Sequence, residues 1–489
     1  MADVEKNCLS QTIIIGGGIA GLSAAYYLQE FSTGRADFTL IEDSAQWGGK
    51  IATVHENGFL IEGGPDSFLT QKKAALDLCR ALGLESSLSG SKSSEPSTTY
   101  VWNNGQLHAI PEGMMLMAPT MILPFLQSKL ISWPGKMRMG MEALIPRKTG
   151  GEDESLAQFV RRRLGREMLD KIAAPLMAGI HSADAEKLSI SSTFPMFPEM
   201  ERAYGGLLRG MIRKKRQSTK ASSQKTATSM FMTLEGGLGQ LSEAIVDRLP
   251  PRSLRLNCRV KSVSPLGYGY RVALRDGTYL LADDVIFATP SYVTAELVEA
   301  MDPALAGLLR SIPYVSTATV SLGFRRGQIH HPLNGFGFIV PATERRRITA
   351  CSWSSQKFTH RAPEDCVLLR VFAGGALAER NAGLDDASLL QLAREELRTI
   401  MGIEATPVVA RVFRWPRAHP QYEVGHGARV TAIETALQAH PRLHLAGAAY
   451  RGSGIPDIIQ NAMNAAMNIA AKLEQTRNAG AILAVPISV

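Results

Sequence analysis

The sequence predicts an α/β fold: a parallel sheet assembled from three separated segments, with a mainly helical insertion and an antiparallel sheet domain between them. Three observations predict it. A β-branched strand runs into GGGIAG and an Ala/Leu-rich helix at Thr12 to Leu28. Strand and helix patterning returns near Thr233, after a Met- and Pro-rich stretch, and again at Leu443 to Leu473. Interleaving of this kind puts a ligand at a domain junction.

The first unit is the most explicit. Thr12 to Ile15 suits a buried parallel strand. Gly16, Gly18 and Gly21 then fill the glycine places of G-x-G-x-x-G, with Gly17, Ile19 and Ala20 between them. Gly16 permits the tight turn, Gly18 lets the backbone approach a pyrophosphate with no Cβ in the way, and Gly21 allows close helix-on-strand packing. The following helix aims its positive end at the phosphates. A second strand, Phe38 to Ile41, delivers Glu42 about 20 residues after the last glycine, where a carboxylate accepts from ribose hydroxyls and disfavours a 2′-phosphate. Glycines alone would equally mark a structural turn. Strand, helix, second strand and acid together make a Rossmann-like unit for an ADP-containing cofactor.

This unit occupies residues 1–90, with a helix at Lys73 to Leu82 closed by Gly83. Residues 91–228 carry Pro-punctuated apolar segments, Ala118 to Leu126, Ser132 to Pro146 and Ser155 to Ile180, which read as a helical insertion. Their methionines suit core packing, and equally a pocket for a flat apolar ligand. Residues 229–300 revert to the nucleotide domain: a helix at Gly236 to Leu249, a strand at Arg255 to Pro265, and a hairpin from Tyr270 turning at Asp276-Gly277. Residues 301–413 alternate β segments with one helix near Ala387 to Met401, an antiparallel sheet. Residues 414–489 return through a strand, a glycine-rich loop and a long closing helix.

With 489 residues and 45% hydrophobic content, the chain can bury more than one core. MADVEKNC carries no secretory pattern, and no run approaches the ~18 apolar residues of a spanning helix. A cytoplasmic protein is expected, with peripheral membrane attachment left open. Five cysteines, Cys8, Cys79, Cys258, Cys351 and Cys366, show neither C-x-x-C nor zinc spacing and are expected as thiols, with no metal site. The net charge of +8 is concentrated at Arg161 to Arg163 and in Arg209 to Lys225, which reads as a solvated loop or a contact to an anionic membrane. Without interleaved aromatics, no nucleic-acid partner is expected.

Beyond the glycine unit, the order GGK (Gly48 to Lys50), GPDS (Gly64 to Ser67) and a C-terminal GSGIPD (Gly452 to Asp457) resembles the flavin amine oxidase superfamily. EGGPDSFLTQKK (Glu62 to Lys73), PLMAGIHSADAEKLSISSTFPMF (Pro175 to Phe197), TLEGGLGQL (Thr233 to Leu241) and HPQYEVGH (His419 to His426) narrow the likeness to the protoporphyrinogen oxidase family, Gram-positive type. The resemblance runs from about Thr12 to Leu473. It implies a non-covalent FAD enzyme that takes six electrons from a protoporphyrinogen or coproporphyrinogen in three flavin cycles, passing them to O2 with release of H2O2. A second copy of the chain is a further partner candidate.

The resemblance also implies roles by position. Gly16 to Gly21 hold the pyrophosphate, Glu42 the ribose, and the backbone of Val260 the adenine. Gly49, Lys50, Gly64, Pro65, Asp66, Ser67 and Trp415 face the ribityl chain and ring, and Ser453, Gly454, Ile455 and Pro456 approach the ring through their backbone. The helix read from Asp457 then points its N-terminus at the pyrimidine edge. Lys50 reads equally as a solvated lysine. Gly179, Ser352 and Phe372 fall where relatives line the substrate site, although Phe372 also suits a strand core. Thr99 stands where plant mitochondrial relatives carry an arginine that clamps a propionate, which leaves Lys72 or another cation to replace it. His181 and His426 are acid–base candidates or structural histidines. No side chain need act as nucleophile. Competing readings are an amine oxidase, disfavoured by the lack of a cysteine after Cys366, a carotenoid desaturase, and a non-catalytic escort protein of the same fold.

Overall fold

The computed structural model describes residues 10–32, 36–92, 98–119, 121–213 and 229–483. Its organising element is a five-stranded parallel sheet in the spatial order Leu254–Arg255, Ala36–Ile41, Ser10–Ile15, Asp284–Phe287 and Leu443–Leu445. Thr12 pairs with both Phe38 and Asp284, and Phe287 with Leu445, so three distant stretches of chain build one sheet. The apolar run of the first strand serves both faces. Ile14, Leu40 and Ile286 point into one core with the helices Ile19–Ser32, Ala74–Ala81, Gly239–Arg248 and Ile455–Leu483. Ile13, Ile15 and Phe287 point into a second, under a three-stranded antiparallel sheet and the helices Ser291–Val298, Pro303–Arg310 and His426–Ala436. Alternation across a strand puts neighbours on opposite faces, and both are covered here.

Several boundaries differ from the sequence reading, each for a local reason. Arg255 to Pro265 is not one strand: Leu254–Arg255 ends the parallel sheet, and Val260–Leu266 starts the antiparallel one. Asn257, at φ 52°, turns the chain between them while its N–H donates to the Ser44 carbonyl at 3.0 Å. The helix after TLEGG begins at Gly239 rather than Gly236, because Gly237 sits at φ 93°. The closing helix starts at Ile455, two residues before Asp457.

The second sheet has seven strands, in the order Val409–Pro420, Tyr314–Arg325, Cys366–Gly374, Ala350–Trp353, Gly337–Ile339, Thr99–Asn103 and Gln106–Ala109. Two expectations are corrected. The sheet is mixed rather than antiparallel, since Gly337–Ile339 runs parallel to Thr99–Asn103. It also recruits residues 99–109 from the stretch read as a helical insertion, and Val409–Pro420 runs unbroken across the boundary drawn at 413. Its back face packs Val320, Leu322, Leu369 and Val371 against Leu389, Leu392, Ala393 and Leu397 of helix Asp386–Met401. That helix is capped by Asp385, which accepts from Ser388 N at 2.8 Å.

A helical region packs against the seven-stranded sheet. Helix Leu156–Arg163 starts at a capping box of Ser155 and Gln158. A π-helical turn at Leu169–Ala173 precedes helix Ala174–His181, where Pro175 cannot donate to the helical ladder. Met117, Met139, Met168, Met177 and Met200 are buried together, so most of the methionine stripe is packing. Arg163 and Glu142, both fully buried, form an ion pair extended by Leu207 N–H, 2.8 Å from the carboxylate. Residues 209–213 of the basic stretch are helical, and 214–225 lie outside the described residues. Cys79, Cys258, Cys351 and Cys366 are free thiols; Cys8 lies outside the described residues. Among the described residues, no helix is long and apolar enough to cross a membrane.

Candidate functional site

The glycine unit folds as its spacing demands. Gly16, at φ 109°, turns the chain out of the first strand, and its N–H donates to the Ile41 carbonyl at 2.8 Å. A Cβ on Gly21 would lie 1.8 Å from the Gly16 carbonyl oxygen, so only glycine lets this helix sit on this strand. Gly18 is different. A Cβ there would meet only the Gly49 Cα, at 4.0 Å, so an open channel passes over Gly18. The Gly48–Gly49 turn borders it in direct backbone contact with the helix start: Gly18 bridges Gly48, Gly48 N–H donates to Gly17 O at 2.9 Å, and a Cβ on Gly49 would lie 3.0 Å from the Gly18 Cα. Ile19 and Ala20 are buried beneath it. Glu42 accepts from Gly17 N at 2.6 Å and Ser44 N at 2.9 Å, at one end of the channel. Cys258 N–H donates to the Glu42 carbonyl at 2.9 Å and so holds Val260 beside that end. An extended phosphate ester fits here: bare backbone, a helix N-terminus and a carboxylate at one end.

Past the channel, the chain closes tightly. A Cβ on Gly64 would be 1.7 Å from the Lys50 carbonyl oxygen, which locks Gly64 to Pro65 against Gly49 to Lys50. The seven-stranded sheet then grips this corner. The Gly63 carbonyl accepts from Trp415 Nε1 at 2.9 Å, Arg370 Nη2 at 2.9 Å and Thr319 Oγ1 at 3.2 Å, and the Gly64 carbonyl from Arg370 at 2.5 Å. The side chains of Asp66 and Ser67 face Lys357, not open space: Lys357 Nζ lies 3.1 Å from both Asp66 oxygens and 3.3 Å from Ser67 Oγ. Burial opposes ionisation of Asp66, but Lys357, Arg370 and the Ser67 hydroxyl outweigh it and hold the carboxyl below its ordinary range. Behind them, Arg361 and Glu62 form a buried pair at 3.1 Å, 2% and 3% exposed, with Leu238 N–H on the same carboxylate at 2.8 Å.

On the far side, Tyr422 OH donates to Ala448 O at 2.7 Å and accepts from Gly452 N at 2.9 Å, fixing the loop that leads through Ser453 and Gly454. Ile455 and Pro456 open the closing helix, whose apolar side packs with that of Ile19–Ser32. Two helix N-termini thus frame the cleft. His426, 2% exposed, stacks on Tyr422 at 3.9 Å and donates to Tyr450 O at 3.0 Å; it is a structural histidine.

The front face of the seven-stranded sheet faces the helical region. Its register aligns Arg370, Ser352, Gly337 and Thr99 in one row, and Phe413, Thr319, Phe372, Ala350 and Ile339 in the next. Gly179 approaches the second row, since a Cβ there would touch Ile339 at 3.7 Å and Ala350 at 3.9 Å. So Gly179, Ser352, Phe372 and Thr99, distant in sequence, come together. Phe372 is half-buried, with the Arg370 guanidinium 4.9 Å from its ring centre. Lys72 has a partner on the closing helix. Its ammonium is 2.7 Å from both Asp457 oxygens on the closing helix, so it is already paired.

The Lys50 ammonium donates to the Ala418 carbonyl. The side chain keeps accessible surface, yet lies deep in the cleft, and the surrounding protein lowers its pKa to about 8. His181 and His419 are both pushed down to about 4, by burial first and by neighbouring cations second: Lys72 for His181, Lys50 and Arg370 for His419. Sequence reasoning passed over Arg370, Lys357, Arg361 and His419. One signal was present, a lone charge inside an apolar strand, in CVLLRVF for Arg370 and FLIEGG for Glu62.

Residues 19–470 match the model of the flavin-containing amine oxidoreductases. The chain belongs to that family. A flavin is therefore the cofactor that the channel serves, and FAD is the form with the pyrophosphate this cradle fits. Coproporphyrinogen III oxidase of Bacillus subtilis is 36% identical over 94% of this chain and 97% of its own. The Staphylococcus aureus enzyme of the same name is 33% identical over 94% of this chain and 99% of its own. A crystal structure from Exiguobacterium sp. 255-15, assigned as a protoporphyrinogen oxidase, superposes with a TM-score of 0.84 at 31% identity, covering 95% of this chain and 99% of the other.

Proposed function

We propose that this chain oxidises a porphyrinogen to its porphyrin in haem biosynthesis, with FAD as the immediate acceptor, O2 as the final one, and coproporphyrinogen III as the preferred substrate. The observation that carries the reading is the front face of the seven-stranded sheet. It brings the half-buried Phe372 and Ser352 together with Gly179 and Thr99 over the buried Ala350 and Ile339, and Arg370 of the same face grips the Gly63 and Gly64 carbonyls of the cradle in a flavin family member. A flat apolar tetrapyrrole with carboxylate arms suits such a surface. The two bacterial coproporphyrinogen III oxidases that match nearly end to end support the choice of substrate, as does Thr99, which offers no bidentate clamp for a single propionate.

In this reading FAD supplies the hydride-accepting ring, and the chain supplies placement. Gly16 to Gly21 hold the pyrophosphate, Glu42 the ribose and Val260 the adenine; Gly49, Lys50, Gly64 to Ser67 and Trp415 line the ribityl chain and ring, with Ser453 to Pro456 opposite. Gly179, Ser352, Phe372 and Thr99 bound the substrate, and Lys72 steadies the start of the closing helix through Asp457. Residues 1–90, 229–300 and 414–489 make the FAD domain and 301–413 the substrate sheet, to which 99–109 of the 91–228 insertion are added. The insertion also exposes Leu123, Trp133, Met137 and Leu144, large apolar side chains that suit a peripheral contact with an anionic membrane, which vesicle flotation tests. A homodimer is the assembly to test by sedimentation.

A porphyrin-fluorescence assay on the FAD-loaded protein decides the function. Coproporphyrinogen III should be oxidised with kcat/KM at least about tenfold above protoporphyrinogen IX, with one H2O2 per electron pair. The reverse order overturns the substrate, failure on both overturns the oxidase reading, and a preparation that stays colourless after FAD addition points to an escort protein.

A further inference from the structure

Oxidising a porphyrinogen is a proton problem as much as a hydride problem. Six hydrogens leave the macrocycle, as three hydrides from meso carbons and three protons. A bound FAD would supply the hydride acceptor, with O2 as the final oxidant, so that each electron pair costs the macrocycle one hydride and one proton, the balance of one H2O2. Each hydride that departs leaves a conjugated cation with acidic N–H groups, so a weak base suffices to take the proton. Within a dry cleft, that base must come from the protein.

Two imidazoles stand in the right place. His181 ends helix Ala174–His181, which also carries Gly179; the chain then turns sharply through Ser182 at φ 53°. His419 follows a bulge. Thr317 pairs with Trp415 and Val315 with His419, so Pro416, Arg417 and Ala418 oppose the single residue Ser316. Arg417 holds the bulge at φ 45°, its N–H donating to Ser316 Oγ at 3.0 Å and its guanidinium 3.8 Å from the Tyr292 ring centre. Strain of this kind persists where the surroundings impose it, and it commonly marks functional sites. The bulge presents the Ala418 carbonyl to Lys50 and brings His419 into the same interior as His181. Gln421, 5% exposed, ties the two together: its Nε2 donates to His181 O at 3.4 Å and to His419 O at 3.3 Å.

Both histidines are half-buried, and neither ring nitrogen hydrogen-bonds to a described residue. The only ring contact of His181 among those residues is the edge of Phe194, with centroids 5.5 Å apart. A structural histidine looks like His426, with its ring stacked and bonded; these two do not. The charged groups that face them are Lys50 on the cradle turn, Arg370 on the sheet, and Lys72 with its partner Asp457. Burial first, and those cations second, keep both rings neutral at rest, so each arrives with a lone pair free and discards a captured proton quickly.

We propose that His181 and His419 form the proton acceptor of this site: an unprotonated ring nitrogen takes the proton leaving the oxidised macrocycle and hands it through the cleft to solvent. This rests on the porphyrinogen reading. No other co-reactant is required.

The test compares wild type, His181→Asn, His419→Gln and the double variant. In FAD-free protein, carbon-detected NMR should find both imidazoles neutral until pH approaches 4, and coproporphyrin III should shift both ring signals. In loaded protein, the double variant should lose about 100-fold in kcat with KM, FAD content and melting temperature held, and added imidazole should restore part of the loss in proportion to its free-base fraction. Rings that titrate near 6.5 or ignore the porphyrin overturn the proposal, as does a kcat within about threefold of wild type. If the variants lose FAD instead, the histidines are structural and the proposal also falls. Wild-type turnover separates this from the underlying reading: active wild type with unaffected variants removes only the proton acceptor, whereas inactive wild type removes both.

Discussion

Lys50 shows how far one side chain can stray from what its neighbours in sequence suggest. In GGK it reads as a surface or ribityl lysine; its side chain keeps accessible surface, and its ammonium sits on the Ala418 carbonyl. The surrounding protein holds its folded-state pKa near 8, against 10.5 for a free lysine. Between those values the unfolded chain binds the extra proton, so stability rises with pH there; the penalty is complete below about 8 and gone above 10.5. Lys50→Met should therefore raise the melting temperature of FAD-free protein at pH 7, and the advantage should shrink steadily as pH climbs towards 10. A pH-independent difference, or a less stable variant, refutes the desolvated ammonium. Nothing in the sequence could have announced this pairing, because Ala418 is 368 residues away and contributes only a main-chain oxygen.

At the level of elements, the glycine turn was legible because each glycine answers to a local demand. The structure separates two demands that the motif merges. A methyl group at Gly21 meets the Gly16 carbonyl at 1.8 Å, so Gly21→Ala must prise the helix from its strand. Thermal melts of the FAD-free variant should show a loss of at least about 3 kcal/mol. Gly18 borders open space, so Gly18→Asp should fold with near-native stability and yet lose FAD, its carboxylate facing the pyrophosphate. Equal stability losses for both variants, or a yellow Gly18→Asp protein, contradicts the assignment. Strands were read less well. The hairpin at residues 99–109 was hidden among helices because its sheet partner, Gly337–Ile339, comes more than 200 residues later. The bulge before His419 was hidden for the same reason: two extra residues are visible only against the strand they fail to match.

For the whole molecule, the junction between cradle and sheet rests on charges inside apolar surroundings. Arg361 joins Glu62 and Thr233, with its Nη2 2.6 Å from the threonine hydroxyl, and so ties the sheet region to two segments of the nucleotide side. Arg361→Met strands the Glu62 carboxylate and should cost about 3 to 5 kcal/mol in urea unfolding. Arg411→Met, which breaks the exposed pair with Glu56, should cost less than about 1 kcal/mol. Similar costs for the two would mean that the junction is held by packing alone. The sequence revealed the order of these parts through its motifs, but not what fastens them, since Arg361 stands in no motif.

The parallel sheet takes its strands from residues 10–41, 254–287 and 443–445, and the first helix packs against the last. On a ribosome, then, the earliest segment made is among the last to be finished. Helix Ile19–Ser32 emerges with its packing partner some 430 residues from synthesis. At ordinary elongation rates, its apolar side waits on the order of half a minute or more for cover. The cofactor cradle is thus the final assembly step, and a chain cut short anywhere before Leu443 carries the whole glycine motif and still has no complete sheet on which to hold a flavin.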